Sequence, residues 1–150
     1  MVSKKELREH VGKLISKHCE RLELPEIPFE IVRKAPDDDV PSTARAYTKA
    51  SFSGGTWGET SFAIFFMEDV LMKEFDRDPQ FIEDLVVHEL MHVRCPEPGE
   101  GHSDTYRTAM MLYGYHPFSC GKEWRGGFDD VVIKSVRAAA KRAIARAAMA

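Results

Sequence analysis

The sequence has little of what marks secreted or membrane-spanning proteins. Three of its 150 residues are cysteines, an odd number with no CxxC spacing, which argues against a disulfide framework and favours free thiols. No uninterrupted apolar run approaches the roughly 18 residues that a membrane span requires. The opening stretch, MVSKKELREH, is also too polar to form the apolar core of a signal peptide. We therefore expect a cytoplasmic protein.

A strong charge imbalance is missing as well. The formal net charge of −3 argues against a surface built throughout for nucleic acid, although it leaves local basic patches open. With 43% hydrophobic residues, a chain of 150 residues can bury one sizeable core but not two. No internal repeat or linker divides the chain, so we expect a single domain over residues 1–150.

The first half of the chain carries the patterns of one helix and a small sheet. Leu7, Val11 and Ile15 recur at helical spacing, which predicts an amphipathic helix over residues 3–22. Alternating or continuous apolar residues then predict three short strands, at residues 27–33, 44–52 and 61–67.

The second half of the chain is predicted to be helical. Asp78 as N-cap and Pro79 in the first turn predict a helix over residues 79–94. Ser103 as N-cap and Gly114 as terminator predict another over residues 104–113. An alanine-rich basic helix is predicted over residues 130–150. The fold class is therefore α+β, with an N-terminal helix, a small three-stranded sheet and three further helices.

The stretch VVHELMHVR, residues 86–94, carries an HExxH pattern inside the first of these later helices. With 3.6 residues per turn, His88 and His92 lie about 40° apart around the axis, and Glu89 lies about 60° beyond His92. Two neutral imidazoles one turn apart can bind one zinc ion, and the carboxylate beside them can take a proton from the water that zinc holds. The pattern is therefore typical of zinc hydrolases.

The same pattern also has a purely structural interpretation, because HExxH arises by chance and histidines in an apolar helix can be core residues with hydrogen-bond partners. The neighbouring residues weigh against it. Two imidazoles and a carboxylate among leucines and valines are costly to bury unless something satisfies all of them. A metal ion does so, and we therefore favour a metal site.

A catalytic zinc site needs a third protein ligand and an open fourth position. The glycine and third histidine of the metzincin pattern are absent here. The downstream candidates are Cys95, Glu97, Glu100, His102, Asp104 and His116. We choose His102, because it directly precedes the predicted start of a helix that can aim it at the metal. Asp104 is the main competitor. Glu97 and Glu100 are explained by solvation, and Cys95 follows the motif helix too closely.

Three segments together resemble the SprT-like zinc metallopeptidases and the related small WLM-type enzymes. These segments are HELMH at residues 88–92, GHSDTYR at 101–107 and MMLYG at 110–114. The resemblance implies a minimal gluzincin-like catalytic core over about residues 3–115, with an extension over about 116–150. It implies His88, His92 and His102 as ligands of one Zn²⁺ and Glu89 as the catalytic base. It also implies that the strand at 44–52 borders the cleft, where an extended protein or peptide substrate could add as another strand.

The sequence departs from the family pattern after residue 115. The paired cysteines of the zinc ribbon that many SprT-like proteins carry are absent, and a basic helix stands in their place. Its basic residues are Lys134, Arg137, Lys141, Arg142 and Arg146. Such a run is usually a solvated helix face, but it is also suited to binding nucleic acid phosphates.

The function that we expect is zinc-dependent hydrolysis of peptide bonds through water activated by Glu89. Two alternatives stay open. One is a zinc-containing DNA- or partner-binding domain with little hydrolytic activity, and the other is a structural site closed by Cys95 or Asp104 as a fourth ligand. The group that would stabilise the oxyanion is also open. The candidates are Tyr106, Arg107, Tyr113, Tyr115 and His116.

Overall fold

The computed structural model describes residues 2–34, 40, 44–53, 59–95, 102 and 104–124. Within them the predicted α+β class is confirmed: there are four helices and one three-stranded sheet. In chain order the elements are α1 (Lys4–Arg21), β1 (Phe29–Val32), β2 (Ala46–Ser53), β3 (Glu59–Met67), α2 (Glu68–Arg77), α3 (Pro79–Arg94) and α4 (Asp104–Leu112). The Ser103 cap and the basic helix at 130–150 lie outside the described residues. None of the described helices is long and apolar enough to cross a membrane.

The sheet has β3 in its centre. β3 runs parallel to β1, with Phe29 opposite Ile64, and antiparallel to β2, with Ala46 opposite Phe66. Ile64 and Phe66 are fully buried, because this face of β3 is covered by helices. β2 therefore lies at one edge of the sheet, beside α3.

One helix, α2, was not predicted from the sequence: it lies between β3 and α3, and the other described elements follow the predicted order. Leu71 is fully buried and Phe75, one turn later, packs against the core, so α2 does carry an apolar stripe. Glu68 and Asp69 begin the helix, where negative charge is favourable. The stripe is narrow and lies among charged residues, so the sequence pattern did not indicate a helix here.

Helix α3 occupies the centre of the molecule and packs against α1, α2, α4, β2 and β3. As predicted, Asp78 is the N-cap residue and Pro79 begins the helix, although the Asp78 side chain makes no capping hydrogen bond. The buried residues of α3 are Ile82, Val86, Val87, Glu89, Leu90, Met91 and Val93. This helix thus places an ionisable carboxylate within an otherwise apolar buried surface.

A buried histidine joins α1 to α3 and to the segment that follows α4. The His18 Nε2 lies 2.8 Å from Glu83 Oε1, and its Nδ1 lies 2.8 Å from the Tyr115 hydroxyl. Burial lowers the pKa of His18. Burial acts to raise the pKa of Glu83, but hydrogen bonds from Lys17 and His18 outweigh it and lower that pKa. A carboxylate only accepts, so Nε2 of neutral His18 donates to Glu83 and Nδ1 accepts from Tyr115.

The C-terminus of α4 is fixed by a glycine turn. Gly114 has φ 82, and the backbone N–H groups of Gly114 and Tyr115 donate to the carbonyls of Met111 and Met110. Arg21 donates to the carbonyls of Tyr113 and Gly114, and a Cβ on Gly114 would lie 2.6 Å from its guanidinium. The predicted termination of this helix at Gly114 is therefore confirmed.

Helix α1 ends in the same kind of turn but without glycine. Glu23 has φ 57, and the N–H groups of Glu23 and Leu24 donate to the carbonyls of Glu20 and Cys19. A side chain other than glycine in this left-handed conformation carries a steric cost.

We predict that Glu23→Gly raises the free energy of unfolding by about 0.5–1 kcal/mol, because the turn is kept and the steric cost is removed. Urea denaturation followed by circular dichroism measures this change. Glu20→Gly is the matched control: it replaces an exposed glutamate inside the same helix and should lower stability by about 1 kcal/mol. A decrease of that size in both variants would contradict the assignment of strain to Glu23.

Candidate metal centre

Three imidazole rings meet at the solvent-facing side of α3. His88 and His92 lie one turn apart on α3, and His102 lies just before α4. The two rings on α3 are half-buried, whereas His102 is exposed. Their Nε2 atoms are 3.3 Å apart for His88 and His92, 3.1 Å for His92 and His102, and 2.9 Å for His102 and His88. These three histidines lie close enough to bind a metal ion.

The triangle of nitrogen atoms has the size that a metal site requires. Tetrahedral zinc with Zn–N bonds of 2.0–2.1 Å holds its nitrogen ligands about 3.3 Å apart, close to the separations found here. Hydrogen bonding explains the arrangement less well. Each Nε2 has only one in-plane lone pair or proton, and one such group per ring cannot satisfy three mutual contacts. The residues present therefore fit a divalent metal with nitrogen ligands.

Two further groups hold His88, one at its backbone carbonyl and one at its ring. The Tyr106 hydroxyl on α4 donates to the His88 backbone carbonyl over 2.9 Å. The buried Cys120 sulfur lies 3.9 Å from His88 Nδ1, where it can act as a weak acceptor for the ring N–H. Burial raises the pKa of the Cys120 thiol to about 11. Cys120 thus remains a neutral thiol beside the ring and leaves the Nε2 lone pair for the cluster.

The protonation state of His88 suits a metal ligand. Burial, followed by the nearby His92 and His102, lowers the pKa of His88 to about 3. A neutral imidazole is the form that binds a metal.

Glu89 is 5% exposed, and Thr48 on β2 holds it. The Thr48 hydroxyl lies 2.6 Å from Glu89 Oε2 and 3.2 Å from the Glu89 backbone carbonyl. Burial raises the pKa of Glu89 to about 7, and the hydrogen bond from Thr48 opposes this rise. A carboxyl group with a pKa near neutrality can both accept and return a proton under physiological conditions.

Both His88 and Glu89 line an open cleft of about 420 Å³ between α3, the start of β2 and the segment after α4. The segment after α4 is fixed against α3, because the Gly121 N–H donates to Asp84 Oδ1 over 2.7 Å. A Cβ on Gly121 would lie 2.9 Å from backbone atoms of α3, so glycine permits this close approach. The cleft gives a small molecule or a chain segment access to His88, one member of the histidine cluster, and to Glu89.

The other candidate ligands stand apart from the cluster or outside the described residues. Among the described side chains, the group of possible metal ligands contains His88, His92 and His102 but not Cys95 or His116. His116 instead accepts hydrogen bonds at Nδ1 from the N–H groups of Phe118 and Ser119. Glu97, Glu100 and the side chain of Asp104 are not among the described parts of the chain.

Most candidates for oxyanion stabilisation have other partners. Tyr106 donates to a backbone carbonyl, Tyr115 is bonded to His18, and Arg94 lies over the Tyr113 ring. Arg107 donates to the Pro117 carbonyl over 3.3 Å, with its guanidinium 4.4 Å from the centroid of the Phe118 ring. These contacts identify none of these side chains as the oxyanion donor.

Sequence reasoning missed two residues that contact the site. Thr48 lies 41 positions before Glu89, and Cys120 lies 32 positions after His88. Neither belongs to a motif. Thr48 had only the weak signal of a small polar residue in a half-exposed strand, and Cys120 only that of a cysteine in a turn.

Comparisons of this chain with protein-family models, with curated proteins and with solved structures found no match. The resemblance to SprT-like enzymes therefore stays a prediction from the sequence motifs.

We predict that protein purified without added metal contains about one divalent ion per chain. His102→Ala should weaken metal affinity by more than about 100-fold, since loss of a ligand exceeds the 10–100-fold cost of losing an outer-shell partner. Elemental analysis and competition with a chelating dye measure both quantities.

Two variants serve as controls for this prediction. His10→Ala removes a histidine on α1, away from the cluster, and should leave metal content unchanged. Asp104→Ala tests the competing ligand. If Asp104→Ala lowers the affinity and His102→Ala does not, the assignment of the third ligand is wrong.

Proposed function

We propose that this protein is a zinc-dependent peptidase of the SprT-like type. The observation that carries the proposal is the cluster of three imidazoles, one of which, His88, lines an open cleft together with the Glu89 carboxylate. A zinc ion on three protein ligands with an open fourth position, beside a carboxylate that can act as a base, is suited to hydrolysis.

The donor atoms favour zinc among the common divalent ions. Three imidazole nitrogens suit zinc and other transition metals, whereas magnesium and calcium prefer oxygen ligands. His88, His92 and His102 would hold the ion. When bound there, zinc supplies a Lewis acid that polarises a carbonyl and makes water a stronger nucleophile near neutral pH.

Glu89 would carry the proton transfers. Its carboxylate accepts a proton from the attacking water as the water oxygen bonds to the peptide carbonyl carbon. It then returns that proton to the amide nitrogen as the C–N bond breaks, which yields a free amine and a free carboxyl group. Its position in the cleft beside His88 supports this role.

Thr48 would orient the base. Its short hydrogen bond to Oε2 restricts rotation of the Glu89 carboxylate, which leaves the other oxygen to handle the proton. Thr48 is thus a positioning residue, supplied by an edge strand.

Two features support a peptide as substrate. β2 lies at the sheet edge and its first residue, Ala46, lines the cleft, so an extended chain can lie along this edge. The cleft is also open to solvent, as the hydrolysis of a macromolecular substrate requires. Together with the sequence resemblance, these features favour peptide bonds over small esters.

A purely structural metal site is the main alternative. A structural site would be closed by a fourth side chain. Among the described side chains, the histidine cluster contains three possible ligands. Chelation separates the two functions. A catalytic site should lose activity before its fold, and a structural site should unfold when the metal is removed.

We predict that Glu89→Gln lowers kcat/KM for casein hydrolysis by about 100- to 10,000-fold, the range for loss of a general base. Metal content should not change, because Glu89 is not a ligand. The assay compares zinc-loaded wild type and variant, with Glu20→Gln on α1 as a matched control that keeps full activity. Equal activity of wild type and Glu89→Gln would refute the proposed function.

We predict that Thr48→Val lowers kcat by about 10- to 100-fold at unchanged metal occupancy, since valine keeps the shape but cannot hold the Glu89 carboxylate. Thr48→Ser keeps the hydroxyl and should restore most of the rate. The kinetic assay is combined with elemental analysis of each variant. If serine is as damaging as valine, the hydroxyl has no orienting role.

A further inference from the structure

From His88, one histidine of the candidate metal centre, the cleft extends along one face of α3. Phe81, Leu85 and His88 all line it, at the i, i+4 and i+7 spacing of a single helix face. With a rise of 1.5 Å per residue, the distance from His88 back to Phe81 is about 10 Å. A groove of this length accommodates a large side chain in addition to the group that reaches the metal centre.

The segment after α4 contributes an aromatic ring to the lining of the cleft. Phe118 is 62% exposed, which is unusual for a phenylalanine. It is nevertheless held in place, because its N–H donates to His116 Nδ1 over 3.1 Å and the Arg107 guanidinium lies 4.4 Å from its ring centroid. A rigid, exposed aromatic ring at the edge of a cleft is a suitable surface for another apolar group.

The charges along the groove do not select a charged side chain. The Asp84 carboxylate accepts the Gly121 N–H and, over 3.0 Å, the Gln80 side-chain N–H, so hydrogen bonds already engage it. Arg45 lies at the far end with its guanidinium 5.3 Å from the centroid of the Phe81 ring. One cation and one anion offset each other, and the cation is suited to stacking on aromatic rings.

The width of the groove depends on a small residue of β2. Ala46 lines the cleft together with Leu85 and Phe118. It shares a face of β2 with Thr48, which reaches Glu89, so this face is turned toward α3. A side chain larger than the Ala46 methyl group would fill part of the groove.

We propose that this groove binds a large apolar side chain, with aromatic residues preferred, from a substrate residue that flanks the scissile peptide bond. The inference rests on the proposed peptidase function, because it assumes that the peptide carbonyl lies at the metal centre. The groove then makes the enzyme selective for peptides with such a residue next to the cleaved bond.

The test begins with a proteome-derived peptide library, cut by the zinc-loaded wild-type protein and read by mass spectrometry. One position next to the cleaved bond should be enriched in Phe, Tyr, Leu or Met. Two synthetic peptides that differ only by Phe or Ala at this position should then differ in kcat/KM by about 10- to 100-fold, the usual discrimination for such a pocket.

Two variants connect this preference to the groove. Ala46→Leu should lower the Phe/Ala ratio of kcat/KM by about 10-fold or more by filling the groove, and Phe118→Ala should lower it by about 3- to 10-fold by removing the wall. Each has a matched control outside the groove. Ala50→Leu lies on the same strand, Leu112→Ala removes another exposed apolar side chain, and both should leave the ratio unchanged.

The outcomes separate this inference from the function on which it rests. Cleavage by the wild type with no preference for large apolar residues would overturn the inference and leave the peptidase intact. An unchanged ratio in Phe118→Ala would also overturn it, even if Ala46→Leu does not fold. No difference in cleavage between wild type and Glu89→Gln would overturn the peptidase function itself.

Discussion

One constraint organises this molecule: α3 runs through the core while it carries two imidazoles and a carboxylate. Isolated polar groups at such positions cost several kcal/mol each, and an unpartnered buried charge costs more. The surrounding elements supply partners. β2 supplies the Thr48 hydroxyl for Glu89, and α4 supplies the Tyr106 hydroxyl for the His88 carbonyl. His102 completes the cluster with His88 and His92. The packing around α3 and the arrangement of the site therefore both follow from the need to give the polar groups of α3 partners.

The third imidazole comes from a separate segment, and its position depends on how α4 is held. Tyr106 connects the start of α4 to α3. At the other end, Arg21 and His18 of α1 hold the Gly114 turn and Tyr115. A helix fixed at both ends keeps His102, two positions before it, near His88 and His92, although the His102 side chain is exposed. Precise ligand geometry of this kind requires rigid supporting elements. The buried His18 network, remote from the cluster, therefore contributes to the site indirectly.

The sequence predicted those parts of the fold and site that depend on local spacing. Helix α3 and the convergence of His88 and His92 follow from helical periodicity, and the choice of His102 followed from its place before a helix. Partners that meet through tertiary packing could not be predicted. Whether Thr48 faces α3 depends on which pleat face of β2 turns inward, and Cys120 reaches His88 only because Gly121 lets the chain approach α3 closely. Helix α2 was missed because its apolar stripe is narrow, with Leu71 as its one buried residue.

In the peptidase that we propose, the division of the cleft between core and surface elements would separate catalysis from specificity. Glu89, His88 and His92 lie on the most buried helix, where most substitutions would disturb packing. The rest of the lining comes from the residues at the start of β2 and from the segment after α4, where Arg45 and Phe118 are exposed and add little to the core. Substitutions there change the shape of the cleft at little cost in stability. Under that proposal, substrate preference could vary while the three histidines stay fixed, as expected when function resides in a site mounted on a stable scaffold.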